Sequence, residues 1–246
     1  MRDKLRKPET PVCLLPKLKV AGSNPVSRSK SPKKADSTVG LFILQRPFTV
    51  VHGAVMPHVI VIAGPNGAGK STTAPSILKE TLGVTEFVNA DTIASGLSAF
   101  NPEGAAFQAG RIMLERLHTL AAEQKDFAFE TTLATRSYLR WLKELKKQGY
   151  MVHLFFFWLP SSEFAIARVA ERVKMGGHNV PEETVRRRYH AGLKNFFELY
   201  RESADSWFMF DNSKPGVPTL IATCGHDAGF VKEDGVVWEC IVEGML

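Results

Sequence analysis

From His58 onward, short apolar runs rich in β-branched and aromatic residues alternate with longer stretches of helical period. Val59-Ile60-Val61-Ile62-Ala63 has no polar alternation and reads as a strand buried on both faces of a parallel sheet. Further strands are predicted at 86–88, 127–129, 151–158 and 207–210, and helices near 71–82, 102–123, 137–148, 162–175 and 181–204. Such alternation implies an α/β domain with a doubly wound, parallel sheet flanked by helices. Near the C-terminus, Phe230-Val231-Lys232 and Val236-Val237-Trp238 around Glu233-Asp234-Gly235 read as a small hairpin. No sustained period precedes Leu41, where Asn24-Pro25, Ser31-Pro32 and Lys33-Lys34 read as breakers and solvated charge.

The 246 residues, 44% hydrophobic and 23% charged, suit one sizeable soluble domain. No apolar run approaches the roughly 20 residues of a membrane span, and the basic N-terminus lacks the apolar segment of a secretory signal, so a cytoplasmic location is expected. Cys13, Cys224 and Cys240 stand at no metal-ligand spacing, which argues against a zinc site or a disulfide framework.

The net charge of +6 changes meaning once it is divided along the chain. Residues 1–55 hold 11 Lys and Arg against 3 Asp and Glu, leaving 20 against 22 in residues 56–246. The basic character therefore belongs to a Pro-, Ser- and Lys-rich leader, read as disordered, while the core is slightly acidic and speaks against a nucleic-acid partner. The expectation is a domain over 56–246 that begins near Met56, two residues before the first clear strand.

Gly64-Pro65-Asn66-Gly67-Ala68-Gly69-Lys70-Ser71-Thr72 fits G-x-x-x-x-G-K-[ST] at every position, directly after the first strand and before a helix. A chance match anywhere in a chain of this length has a probability of roughly one per cent, before that context is required. The spacing serves phosphate chemistry. Backbone N–H groups cradle the phosphates of ATP, glycines let the backbone come close, Lys70 reaches the outer phosphates and the Ser71 hydroxyl takes Mg²⁺. A Leu-Ser-Gly-Gly-Gln signature and an apolar strand ending in Asp-Glu, the marks of transporter-type ATPases, are absent from the sequence.

A phosphotransferase needs a carboxylate beside the acceptor hydroxyl and cations that enclose the γ-phosphate. Asp91 ends the second strand segment at the carboxyl edge of the sheet, where open α/β sheets bind ligands; otherwise it caps a turn starting at Thr92. Glu130, Thr131 and Thr132 end the third strand at the same edge and are candidates for acceptor or metal contacts. A lid of helix, joint and helix spans about 168–190, with Gly176-Gly177-His178 as the joint and Pro181 opening the second helix. Glu182 can pair Arg186 and Glu183 can pair Arg187, whereas Arg172 and Arg188 have no acid three or four positions away, which makes these two the candidates for the γ-phosphate.

Taken together, Gly64 to Thr72, Asn89-Ala90-Asp91, Phe129-Glu130-Thr131-Thr132-Leu133, Arg168 to Val173 with Gly176-Gly177-His178, Val180-Pro181, Arg187-Arg188-Tyr189 and Asp211-Asn212-Ser213 resemble the zeta toxin family in its short stand-alone form. The resemblance covers about residues 57–225. It implies a P-loop kinase-like fold that uses ATP and Mg²⁺ to phosphorylate the 3′-hydroxyl of the sugar in UDP-N-acetylglucosamine, with an antitoxin protein as partner. On that pattern Asp91 is the general base, Lys70 and Ser71 contact nucleotide and Mg²⁺, Glu130 contacts the acceptor, and Arg172 and Arg188 are the lid charges. A kinase for another small acceptor (antibiotic, sugar or nucleoside) and a regulatory P-loop ATPase remain open from the residues alone.

Removal of residues 1–55 is expected to leave the melting temperature within a few degrees of the full chain and to preserve ATP binding. Calorimetry and a nucleotide titration on the two proteins check this, and a larger fall or a loss of binding contradicts it.

Overall fold

The computed structural model describes residues 56–225 and 229–245; the leader expected over 1–55 lies outside the described residues. Strands β1 (His58–Ala63), β2 (Phe87–Val88), β3 (Phe127–Thr131), β4 (Met151–Trp158) and β5 (Ser206–Asp211) run parallel, and β6 (Thr219–Gly225) and β7 (Gly229–Lys232) complete the sheet antiparallel. The order is β2-β3-β1-β4-β5-β6-β7. Every residue of β1 is buried, as the unbroken apolar run from Val59 to Ala63 requires of a strand with parallel partners on both sides.

Side-chain alternation divides the core into two layers, one on each face of the sheet. Val59, Val61 and Ala63 join Phe127, Phe129, Leu154, Phe156 and Met209 on one face. Ile60 and Ile62 join Ala128, Phe155, Phe157 and Phe208 on the other. The helices cover these faces. They are α1 (Lys70–Pro75), continued by a π-helical turn at Ser76–Thr81, α2 (Ala90–Leu97), α3 (Ala106–Ala122), α4 (Ser137–Lys147), α5 (Ser162–Lys174), α6 (Glu182–Asn195) and α7 (Gly235–Glu243). The last stretch of α6 runs on through a π-helical turn at Phe196–Tyr200 to Ser203. Among the described residues no helix is long and apolar enough to cross a membrane.

The C-terminal hairpin exists and 230–232 lies in one of its arms, β7, but the other arm is β6 rather than 236–238. Val236-Val237-Trp238 lies in α7, because the Asp234 carboxylate caps that helix by accepting from the Val237 N–H at 3.0 Å. Trp238 and Ile241, three apart, then bury on the same side, with Trp238 stacked on Trp207 at 5.8 Å. The helix α2 is a second departure from the sequence reading. Asn89 caps it by accepting from the N–H groups of Asp91 (2.7 Å) and Thr92 (3.3 Å), so Asp91 lies in its first turn rather than before it.

At the opposite edge of the sheet from the glycine-rich loop, His58 Nδ1 lies 2.8 Å from His153 Nε2, and His153 Nδ1 lies 2.7 Å from the Ser206 hydroxyl. Burial, with the neighbouring His58 adding to it, pushes His153 down to about 4 against a smaller opposing pull from Asp205; burial also lowers His58. Both rings are therefore neutral in the fold near neutral pH, and an unfolded imidazole takes up a proton in a range where the buried one does not. Stability is full above the ordinary histidine pKa and falls as the pH drops from 6.5 towards about 4, by roughly 3 kcal/mol at most from His153. Urea unfolding midpoints measured across that window check this. The decline is expected to begin near 6.5, above the carboxylate range, and a midpoint constant down to pH 5 contradicts it.

Candidate active site

The loop between β1 and α1 is held by three glycines where no other side chain fits. Gly64, at φ +136°, would place a Cβ 2.3 Å from the Phe157 carbonyl oxygen of β4. Gly67, at φ +79°, would meet the Ala165 carbonyl at 2.8 Å, and Gly69, at φ +74°, the Asn212 side-chain nitrogen at 2.7 Å. The loop is thus pressed between the end of β4, the start of α5 and the segment after β5. Asn212 also donates from Nδ2 to the Ala68 carbonyl at 2.7 Å, while its own carbonyl accepts from Arg168 Nη1 at 2.6 Å.

Lys70 is only 5% exposed, and a buried ammonium must be paired. It donates to the Pro65 carbonyl at 2.9 Å and lies 3.5 Å from Glu130 Oε1. The other oxygen of Glu130 accepts from the Ser71 hydroxyl and from Asn89 Nδ2, both at 2.7 Å. These contacts follow from strand order. Because β3 rather than β2 neighbours β1, Glu130 stands in register with Ile62, two residues before the loop begins.

Asp91, in the first turn of α2, is exposed, and its negative charge opposes the lowering of the Arg188 pKa that burial and the neighbouring Arg187 cause. Arg188 Nη1 reaches Asn66 Oδ1 at 3.5 Å, which brings this lid residue to the loop. Arg172 is placed differently. Its Nη2 donates to the His178 carbonyl at 2.7 Å across the lid joint, where Gly177 leaves room for its side chain. His178 Nδ1 in turn faces Glu103 Oε1 at 3.7 Å, so the joint meets the loop that precedes α3. Arg186 pairs with Glu163 on α5 rather than with Glu182, since the packing of the two lid helices offers a nearer acid than the helix itself.

The Thr131 hydroxyl accepts from the Leu133 N–H at 3.1 Å, holding a turn in which Leu133 has φ +55°. Gly192 of α6 packs against the Thr132 carbonyl, where a Cβ would come within 2.3 Å. The structure therefore gathers Gly64 to Thr72, Glu130 and Arg188 at one edge with Asp91 beside them, while Arg172 stays at the joint. Asn89, Arg168 and Asn212, which entered the sequence reading only within the motifs of the resemblance, join this set through contacts that spacing did not foretell. The signal for Asn89 and Asn212 was an asparagine directly after a strand, which in sequence cannot be told from an ordinary turn residue.

Residues 59–196 match the AAA domain. An uncharacterized protein of Haemophilus influenzae is 33% identical over 130 residues, covering 53% of this chain and 91% of that protein. Among solved structures, AvrRxo1-ORF1:AvrRxo1-ORF2 with sulphate ions is similar at 17% identity and a TM-score of 0.63, over 78% of this chain and 66% of that one. This chain thus spans just under two thirds of its length. A structure from the PezAT chromosomal toxin-antitoxin system of Streptococcus pneumoniae is similar at 16% identity and a TM-score of 0.51, over 83% and 89%. At these identities the likeness is one of fold, the mostly parallel sheet flanked by helices of P-loop kinases.

Replacing Asn212 by Ala strands the Ala68 carbonyl and loosens the loop. An unsatisfied buried acceptor costs about 1–3 kcal/mol, so Asn212→Ala is expected to lower the melting temperature and to weaken ATP binding about tenfold or more. Calorimetry and a nucleotide titration check both, and unchanged affinity contradicts the buttressing role.

Proposed function

We propose that this chain, which belongs to the AAA domain family through residues 59–196, is an ATP-dependent phosphotransferase that acts on a hydroxyl group of a small molecule. The observation that carries the reading is the buried Lys70 held by the Pro65 carbonyl and by Glu130, which also accepts from Ser71, inside a loop whose glycines admit no Cβ, with a carboxylate and an arginine at its rim. The donor set fits a triphosphate and its metal ion. Loop N–H groups and Lys70 receive the phosphates of ATP, and Ser71 and Glu130 are the hard oxygen ligands that suit Mg²⁺. When bound, Mg²⁺ neutralises charge on the transferring phosphoryl group.

Asp91 accepts the proton of the acceptor hydroxyl as the hydroxyl oxygen attacks the γ-phosphorus and the bond from that phosphorus to the bridging oxygen breaks, ADP leaving with the electron pair; the task suits an exposed carboxylate next to the phosphate site. Arg188 stabilises the charge on the moving group, and Arg172 joins it when the lid closes, giving up its bond to the His178 carbonyl. The acceptor is a nucleotide-activated amino sugar, UDP-N-acetylglucosamine first. Support comes from the resemblance to zeta toxins and from an acceptor edge of Asp91, Glu130, Thr131 and Thr132, whose hydrogen-bonding groups suit neutral sugar hydroxyls. The fold shared with a toxin-antitoxin structure supports an antitoxin protein as partner.

Lys70→Ala is expected to weaken ATP binding and transfer together, whereas Asp91→Asn keeps ATP affinity and lowers turnover by roughly 10²–10⁴. Loss of affinity in Asp91→Asn contradicts the assignment of the base. Arg188→Ala is expected to lower kcat roughly ten- to a thousand-fold with little change in ATP affinity. Mass spectrometry of the products tests the acceptor: a phosphorylated UDP-N-acetylglucosamine supports it, and ATP turnover indifferent to that sugar nucleotide removes it.

A further inference from the structure

Asn89 stands between the phosphate site and the candidate base, and its two ends serve different partners. Its Oδ1 accepts from the N–H groups of Asp91 and Thr92, which is the ordinary work of a helix cap. Capping leaves the amide nitrogen without a role, and on a surface helix that group faces water. Here the residue is 7% exposed, and Nδ2 donates to Glu130 Oε2 at 2.7 Å and lies 3.4 Å from the Ser71 hydroxyl. Both partners belong to the phosphate and metal site.

The sheet makes this link necessary. The strand that leads to α2 has only two residues, paired to β3 through Phe87 with Ala128 and Val88 with Phe129. Backbone pairing therefore stops one residue short of Glu130, and Asn89 continues the connection with its side chain. The same contact fixes Glu130, whose Oε2 has two donors, Ser71 and Asn89, while Oε1 faces Lys70. Without the amide, that carboxylate keeps one neutral donor and is free to turn towards Lys70.

We propose that Asn89 is a positioning residue that couples the two halves of the site: it sets the Glu130 carboxylate for Mg²⁺ and holds the first turn of α2, with Asp91, at a fixed distance from the phosphates. The inference rests on the reading of this edge as a Mg²⁺·ATP site. It predicts that Asn89 acts on metal-dependent nucleotide binding through Glu130, which a capping role does not.

The test is a double-mutant cycle on the full chain, reading the MgCl₂ concentration that gives half-maximal binding of a fluorescent ATP analogue. Asn89→Ser keeps a good cap but cannot reach Glu130. It is expected to raise the Mg²⁺ midpoint about tenfold, as the loss of one charge-assisted hydrogen bond implies, and to change it less than about twofold in a Glu130→Gln background. Asn89→Thr, another capping residue without the amide, is measured in parallel with melting temperatures, so that the result stands even if one variant is unstable. An equal shift in both backgrounds, or no shift in the wild-type background, overturns the coupling. Failure of the wild-type chain itself to bind the analogue at any Mg²⁺ concentration overturns the nucleotide-site reading, and the coupling with it.

Discussion

The structure is organised around the burial of one ammonium group. Lys70 opens the helix that follows the glycine loop, with a side chain only 5% exposed, and its charge must be met within a few ångströms. Glu130 meets it, and Glu130 is available only because β3 neighbours β1 and places residue 130 opposite Ile62. The strand order 2-3-1-4-5 is therefore more than a topology: it carries a carboxylate to the glycine loop. Such an ion pair contributes little net stability after desolvation, so its reason lies in the site.

The rest of the edge is fitted to that pair. The Phe157 carbonyl presses on Gly64 from β4, Asn212 holds the far side of the loop from the segment after β5, and Asn89 approaches Glu130 from the end of β2. The carboxyl ends of four parallel strands, and the residues directly after them, thus bear on a loop of nine residues and on the carboxylate that meets it. The lid is fastened by Arg168 to the Asn212 carbonyl at 2.6 Å, by the Tyr189 hydroxyl to the Leu159 carbonyl at 2.8 Å and by Arg188 to Asn66 at 3.5 Å, and Arg172 closes its joint. A rigid phosphate cradle beneath a lid with a glycine joint suits phosphoryl transfer, because positioning must be fixed while water is excluded only during the reaction.

Much of this was legible in the sequence for physical reasons. The run from Val59 to Ala63, buried on both faces, has no room for polar alternation, so β1 announced itself, and the glycine spacing followed from backbone approach. The helices with strong period also appeared near their expected bounds, 162–175 against Ser162–Lys174 for example. What failed was short or tertiary. Val236-Val237-Trp238 looked like a strand because its residues favour one, but a cap at Asp234 and a stacking partner at Trp207 made it helical. Arg186 found Glu163 on the neighbouring helix, a choice that spacing along one helix cannot reveal. Asn89 and Asn212 stood in the sequence only as parts of motifs, without their contacts, because an asparagine's partners are set by the fold, whereas a glycine's constraint is set by its own backbone.

The account stands on the loop and the Lys70–Glu130–Ser71 cluster being the place where a triphosphate and its metal bind. A crystal structure of the full chain with Mn²⁺ and a non-hydrolysable ATP analogue measures this directly, with the metal located by its anomalous signal. The account predicts the phosphates against the N–H groups of Gly67 to Ser71, and Mn²⁺ on the Ser71 hydroxyl beside Glu130. A nucleotide bound away from this loop, or Mn²⁺ at a site that excludes Ser71 and Glu130, contradicts it.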